Sequence, residues 1–513
     1  MTPIVLTTLN ARYSHCAFGL RYLFANLNEL QPQTKILEFT ISQNARNIAE
    51  AILAEQPSIV GFGVYIWNTR QTQEVVSILK RVKPGIKVVL GGPEVSFETE
   101  PQEICKQADL TIQGESDFLF YKVCKDYFES GAWPSKKWIA GELPQILDIK
   151  LPYIHYTDED VKNRVIYVEA SRGCPYKCEY CLSSLDKTVR SFNLDEFLSQ
   201  MDQLIQRGAR QFKFIDRTFN LSIPTSTKIL QFFLDRISLG LFLHFEMVPD
   251  RLPLELRELI AQFPKGALQF EIGIQTWNPE VSKLVSRRQD YQKIRENFAY
   301  LAESKTVHTH ADLIAGLPSE TIESFALGFD AVAELAPDEI QVGILKRLKG
   351  TPIIRHDEEW QMVYQEHPPF QVLQTRTMGY EEIQKIGRFA HFWDLIANSG
   401  NFKDTLQLLI DLSKKRAQPS LFWEFDEVVT FMSGRHPQGH SVALLNLLES
   451  VWVYLTEVKS LDESRVRAIL IKDYTSTIKR DIPHFLRLRV TPNLIHQAKI
   501  KSATPSRQRR HLD

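Results

Sequence analysis

Ser171-Arg172-Gly173-Cys174-Pro175-Tyr176-Lys177-Cys178-Glu179-Tyr180-Cys181 is a C-x3-C-x2-C run that follows directly on a short apolar strand, Val165 to Glu169. Three thiolates on one tight loop can converge on a single inorganic object. Iron–sulfur clusters are held by Cys thiolates, and a [4Fe–4S] cube usually takes four of them; three from this loop leave one iron open to another ligand. Structural zinc wants four ligands, commonly as two short pairs, whereas Cys16, Cys105 and Cys124 stand singly and supply no second pair. Six cysteines in 513 residues, with no basic segment leading into a long apolar run at the start, do not read as a disulfide-stapled secreted fold.

Upstream of this run, short apolar stretches alternate with amphipathic ones. Ile4–Leu9, Lys35–Phe39, Ile59–Gly63, Lys87–Leu90 and Leu110–Gln113 read as strands, each followed by a helix-like segment. That alternation predicts a parallel, doubly wound, flavodoxin-like sheet over about residues 1–145. Such sheets bind ligands outside the carboxyl ends of their strands, which singles out the loops carrying Tyr65, Trp67, Gly91, Gly92, Gly114 and Glu115. With no Cβ at Gly91 and Gly92, backbone can approach a flat ligand closely.

Downstream, six strand-like runs recur between about 160 and 370: Val165–Glu169, Gln211–Asp216, Leu241–Val248, Leu268–Gln275, Val307–Ile314 and Glu339–Leu345. Six βα units are too few to close an eight-stranded barrel, so an open (β/α)6 partial barrel is expected. Asp216, Glu246 and Gln275 stand at the carboxyl ends of their strands, where parallel βα folds gather their chemistry. Residues 371–513 read as mostly helical, with one alternating stretch, Phe485–Val490, and a basic, Ser- and Pro-containing end that reads as a disordered solvated tail.

The cysteine run resembles the signature of the radical S-adenosylmethionine (SAM) enzymes, in which the open iron chelates the amino and carboxylate groups of SAM. The resemblance implies that Cys174, Cys178 and Cys181 hold the [4Fe–4S] cluster and that Tyr180 lies beside the adenine. It further implies that Asp216 meets the SAM amino group and Gln275 the ribose and carboxylate, with Glu246 in the same set. In His310-Ala311-Asp312-Leu313-Ile314-Ala315-Gly316-Leu317-Pro318, similar to the fifth-strand motif, the backbone around Leu317 flanks the adenine. Placed before such a signature, the first domain resembles the cobalamin-binding domain of cobalamin-dependent radical SAM enzymes. Gly91-Gly92-Pro93 then stands on the nucleotide-tail side, Gly114-Glu115 after the last strand, and Tyr65 or Trp67 beneath the corrin. The family's Asp-x-His-x-x-Gly motif has no true counterpart: Tyr13-Ser14-His15-Cys16-Ala17-Phe18-Gly19 lacks the Asp and has its Gly one place late, so cobalt ligation is not carried over to His15.

What the resemblance implies is reductive cleavage of SAM to a 5′-deoxyadenosyl radical and methylation of an unactivated carbon or phosphorus centre, with cobalamin as methyl carrier. Two alternatives stay open: a cobalamin-type enzyme that closes rings, rearranges or oxidises without methyl transfer, and a methylthiotransferase-like RNA-modifying enzyme. Either way a reducing partner of the flavodoxin or ferredoxin kind is implied. The formal net charge of −1 gives no general attraction for nucleic acid, no apolar run is long enough for a membrane span, and a reducing cytoplasm suits the cluster.

Overall fold

The leading strand, β1 (Ile4–Asn10), is buried at every one of its seven positions, as expected of a parallel strand covered on both faces. The computed structural model describes residues 2–437, 442–476, 481–487 and 505–511. They fall into two units, one of Met1–Thr218 with Lys346–Arg355 and Tyr364–Gln371, the other of Phe219–Leu345, His356–Val363 and Val372–Asp513.

In the first unit β1 is joined by β2 (Thr34–Thr40), β3 (Ile59–Gly63), β4 (Lys87–Gly91), β5 (Leu110–Gln113) and β6 (Trp138–Ala140). All pair parallel, in the order β2-β1-β3-β4-β5-β6. Alternation along each strand sorts the side chains into two cores. Val5, Val60 and Val88 pack on one face with Ile48 and Ile52 of α2 (Ala45–Ala54) and Val75 and Leu79 of α3 (Thr69–Val82). Ile4, Leu6 and Val89 pack on the other face with Leu20 of α1 (Phe18–Ala25) and Phe120 and Val123 of α5 (Asp117–Ser130), while α4 (Glu103–Gln107) follows β4. The sheet is doubly wound, as the alternation predicts. The sixth strand is an addition: three residues on the sheet edge carry no periodicity to read.

The remaining strands of this unit are β7 (Ile166–Val168), the two-residue β8 (Ser171–Arg172) and β9 (Arg190–Ser191), and β10 (Gln211–Phe214). β7 pairs parallel with β10, and β8 pairs antiparallel with β9. The second unit carries β11 (Phe242–Met247), β12 (Leu268–Gln275), β13 (Val307–Ala315) and β14 (Glu339–Ile344), parallel throughout and in that order. Helices such as Leu194–Gln206, Ile223–Leu234, Tyr291–Ser304 and Ile322–Ala333 separate the strands, so every strand of the expected (β/α)6 series is present.

Beyond residue 379 the second unit is helical, with Tyr380–Ile396, Lys403–Ser413, Leu421–Arg435, Leu444–Val453 and Glu463–Thr475. Its aromatic core is Phe389, Trp393, Phe422 and Phe425 around Phe329, with ring centroids 4.5–5.8 Å apart. Two readings change here. Phe485 and Leu486 lie in a 3-10 turn, His484–Leu486, capped by Arg487, and residues 488–490 of the alternating stretch lie outside the described residues, as does the tail up to residue 504. The tail residues that are described are docked, because carboxylates await them. Arg507 meets Glu339 at 2.9 Å and Asp394 at 2.5 Å, and Arg510 donates to the Ser399 carbonyl at 2.9 Å. No helix among the described residues is long and apolar enough to cross a membrane.

Candidate functional site

The cysteine loop leaves β7 through Glu169 and Ala170 and turns at Gly173, whose φ of 94° is left-handed. A Cβ there would strike the Thr188 carbonyl oxygen, so only glycine fits. The loop is pinned by Cys174 N–H donating to the Asp186 carbonyl at 3.0 Å and Cys181 N–H to the Cys178 carbonyl at 3.1 Å. Cys174 and Cys178 are buried, Cys181 is half-buried, and all three thiols are free of disulfides. Burial pushes the Cys174 thiol up, and the neighbouring Cys181 and Cys178 sulfurs push it further. Three sulfur donors on one loop, two of them buried, are one short of a closed four-ligand site. The donor set fits a [4Fe–4S] cluster with one open iron. Tyr180 is buried between the last two ligand positions.

Asp216, expected to face a ligand, is buried and already engaged by its own chain. Its carboxylate accepts from Ala170 N–H at 3.0 and 3.2 Å and from the Ser171 hydroxyl at 2.6 Å. It therefore clamps the end of β7 just before the cysteines. Burial, which outweighs these hydrogen bonds, pushes its carboxyl up to about 7. With the folded value above the unfolded one, the protonated form favours the fold; that contribution is complete below about pH 4 and is lost as pH rises through about 7. Asp216→Asn, which cannot ionise, should flatten the apo protein's stability between pH 4 and 7. Thermal melts across that range check it, and an unchanged slope would reject the assignment.

The other SAM candidates belong to the second unit. Glu246 is half-buried on β11, and its carbonyl accepts from Phe219 N–H at 3.1 Å. Gln275 ends β12 at a register slip, with φ of 73°, and its side-chain amide lies where a Cβ on Gly273 would be. Leu317 is fully buried after Gly316, whose φ is 84°.

Five of the six cobalamin candidates line one cavity of about 190 Å³ at the carboxyl ends of β3, β4 and β5: Tyr65, Gly91, Gly92, Gly114 and Glu115. Trp67 stacks on the Tyr65 ring, centroids 4.5 Å apart at 7°, but is itself 49% exposed and lies outside the lining. The glycines differ in role. A Cβ on Gly91 or Gly114 would have its nearest neighbours at 3.9 Å, whereas one on Gly92, at φ 110°, would meet the Val64 carbonyl oxygen at 2.5 Å. Gly92 serves the fold, because backbone blocks it, Gly114 also serves a left-handed turn at φ 76°, and Gly91 keeps the cavity open. A cradle that a Cβ would fill suits a flat cofactor and its tail. His15, by contrast, has Nδ1 2.5 Å from the Tyr167 hydroxyl and is not in the lining.

Arg172 is the residue the sequence reading missed. It lines the same cavity two positions before Cys174, and its guanidinium meets Glu115 at 2.8 Å, Glu169 at 2.9 Å and Asp117 at 3.1 Å, over the Tyr22 ring at 4.5 Å. Arg190, on β9, holds the other Glu115 oxygen and also Asp186 at 3.0 Å. Glu115 thus acts through these arginines at the cavity rim. The only available signal was adjacency to the cysteines, since an Arg is ordinarily read as exposed. Arg172→Gln leaves three carboxylates facing one another, with Glu169 buried and its carboxyl already raised by that burial. Breaking a buried pair in this way costs about 3–5 kcal/mol. Urea unfolding measures it, and a loss below about 1 kcal/mol would show the network to be solvated.

Comparison with known proteins agrees with this geometry. The B12 binding domain family matches residues 4–121, the Radical SAM superfamily residues 168–327, and a protein-of-unknown-function family, DUF4080, residues 358–510. These matches set a B12-binding domain ahead of a radical SAM domain, with a helical part after it. A radical SAM domain implies a [4Fe–4S] cluster and S-adenosylmethionine, and a B12-binding domain implies cobalamin. Among curated relatives, the cobalamin-dependent radical SAM methyltransferase TokK of Streptomyces tokunonensis is 22% identical over 347 residues, covering 56% of this chain and 47% of TokK. The 2-(S-pantetheinyl)-carbapenam-3-carboxylate methyltransferase of Streptantibioticus cattleyicolor is 22% identical over 342 residues, covering 58% and 48%. The chain therefore spans about half the length of these two relatives. Among solved structures, the radical S-adenosylmethionine methyltransferase TsrM of Kitasatospora setae, with cobalamin and a [4Fe–4S] cluster bound, superposes with a TM-score of 0.57 at 17% identity, covering 70% of this chain and 78% of TsrM.

Proposed function

We propose that this protein is a cobalamin-dependent radical SAM methyltransferase acting on an unactivated carbon or phosphorus centre. The observation that carries the reading is that one unit holds both the three cysteines, none in a disulfide, and the glycine-lined cavity, with Arg172 reaching from the cysteine loop into the cavity's carboxylate rim. When bound, the cluster with SAM supplies a carbon radical and the corrin supplies a methyl group. The chain's own residues bind and orient. Cys174, Cys178 and Cys181 hold three irons, and Tyr180 covers them from water. Asp216 fixes the strand end that feeds the loop and offers its remaining acceptor capacity to the SAM ammonium. Glu246, Gln275 and the backbone at Leu317 complete the SAM contacts. Gly91 and Gly114 admit the nucleotide tail, and the Tyr65–Trp67 stack supports the corrin face.

The same reading divides the chain into a cobalamin-binding domain over residues 1–145, a barrel over 160–370 and a helical domain over 371–513. It places the enzyme in the cytoplasm with a flavodoxin- or ferredoxin-like reductant, since the cluster needs an electron and a reducing compartment. Methyl transfer consumes the SAM methyl group and leaves S-adenosylhomocysteine, whereas reductive cleavage leaves 5′-deoxyadenosine. Anaerobic turnover of the reconstituted protein with candidate substrates should yield both, with a product heavier by one CH2. Turnover that forms 5′-deoxyadenosine alone would favour the non-methylating alternative and reject this one.

A further inference from the structure

We propose that His308, Asp338 and His511 form a divalent-cation site of the zinc type that fastens the C-terminal turn to the amino ends of β13 and β14. His308 is the second residue of β13 and only 4% exposed. Its Nε2 lies 3.0 Å from Glu339 Oε1, so that nitrogen carries the proton and donates it. The other nitrogen, Nδ1, is buried and has no hydrogen-bond partner. An unsatisfied buried acceptor costs about 1–3 kcal/mol, which calls for a ligand, and the lone pair lies 3.9 Å from Asp338 Oδ2.

His511 completes the set. One ligating atom from each of His308, Asp338 and His511 lies within 4.8 Å of the others. His511 Nε2 is 3.1 Å from the Asn398 carbonyl. His308 thus has the arrangement found around bound metals, with the outer N–H given to a carboxylate and the inner nitrogen bare. Asp338 is oriented by Thr309, whose N–H and hydroxyl donate to it at 2.7 and 3.0 Å. Zn–N and Zn–O bonds of about 2.0–2.2 Å put tetrahedral donors about 3.4 Å apart, a short closure from 3.9 Å, and a water takes the fourth position.

Charge favours a cation. Asp338 and Glu339 bring two carboxylates, of which Arg507 neutralises the second at 2.9 Å. The two imidazoles and one carboxylate form a borderline donor set, matching zinc and its neighbours rather than magnesium or calcium. The site lies at the amino ends of the strands, away from the carboxyl ends where parallel βα folds place chemistry. Its role is therefore to hold the docked tail residues in place.

The test uses the full chain with Cys174, Cys178 and Cys181 changed to Ala, so that no thiolate of the cluster loop competes. Zinc is titrated against a chromophoric chelator and cobalt(II) is followed by absorption. We expect one tightly bound ion per chain, weakened about tenfold or more by Asp338→Asn and by His511→Ala, with unchanged far-ultraviolet circular dichroism. His511→Cys should keep the ion and add a sulfur-to-cobalt charge-transfer band that the parent lacks. Zinc should slow amide exchange at residues 505–511 in the parent but not in Asp338→Asn. Failure of the parent to take up an ion, or equal uptake in parent, Asp338→Asn and His511→Ala, would overturn the site and leave a metal-free ion-pair network.

Discussion

Changing Cys174, Cys178 and Cys181 together to Ala is expected to remove the iron and sulfide, about four of each per chain, from anaerobically reconstituted protein and to abolish SAM cleavage. The fold should survive, because the loop is pinned by backbone bonds to Asp186 and Cys178 and by the glycine turn at Gly173, none of which needs a thiol. Corrin binding should also survive, because no cysteine lines the cavity. Iron analysis, the cluster absorbance and a corrin titration on the same sample separate these effects. Iron that stays near four per chain in the triple variant would end the assignment.

The second large effect is expected from Gly91→Leu. This position has no left-handed backbone, its Cβ would have neighbours no nearer than 3.9 Å, and it faces the cavity. A leucine side chain therefore enters the cavity without disturbing the sheet and competes with the corrin tail for a volume of about 190 Å³. Corrin affinity should fall about a hundredfold or more, which corresponds to roughly 3 kcal/mol, while the melting temperature moves little. Gly92→Ala should do the reverse. Its Cβ would drive into the Val64 carbonyl, so stability falls first and corrin binding falls only as the fold loosens. Spectroscopic corrin titration beside thermal melts distinguishes the two, and a Gly91→Leu variant that binds corrin as tightly as the wild type would show that the cofactor lies elsewhere.

Much of this was legible beforehand because it is written in local pattern. Strands β1 to β5 and the six barrel strands announce themselves as short apolar runs between amphipathic helices, and three cysteines at C-x3-C-x2-C spacing need no fold to be read as a shared site. Glycine positions were legible too, but their roles were not. Gly91 and Gly92 are identical letters side by side, and only the placement of Val64 against Gly92 tells the one that serves the backbone from the one that serves the cavity.

The sequence by itself determined the run of strands and helices, which rests on periodicity within a few residues, and grouped three cysteines by their spacing. Only the tertiary structure decided which charges are committed to the fold. Asp216 clamps Ala170 and Ser171, and Arg172 ties the cavity rim to the cysteine loop. His308 and His511 are 203 positions apart and meet only because β13 begins where the tail docks. Burial and partner choice depend on residues distant in the chain, and the free energy of a charge depends on both.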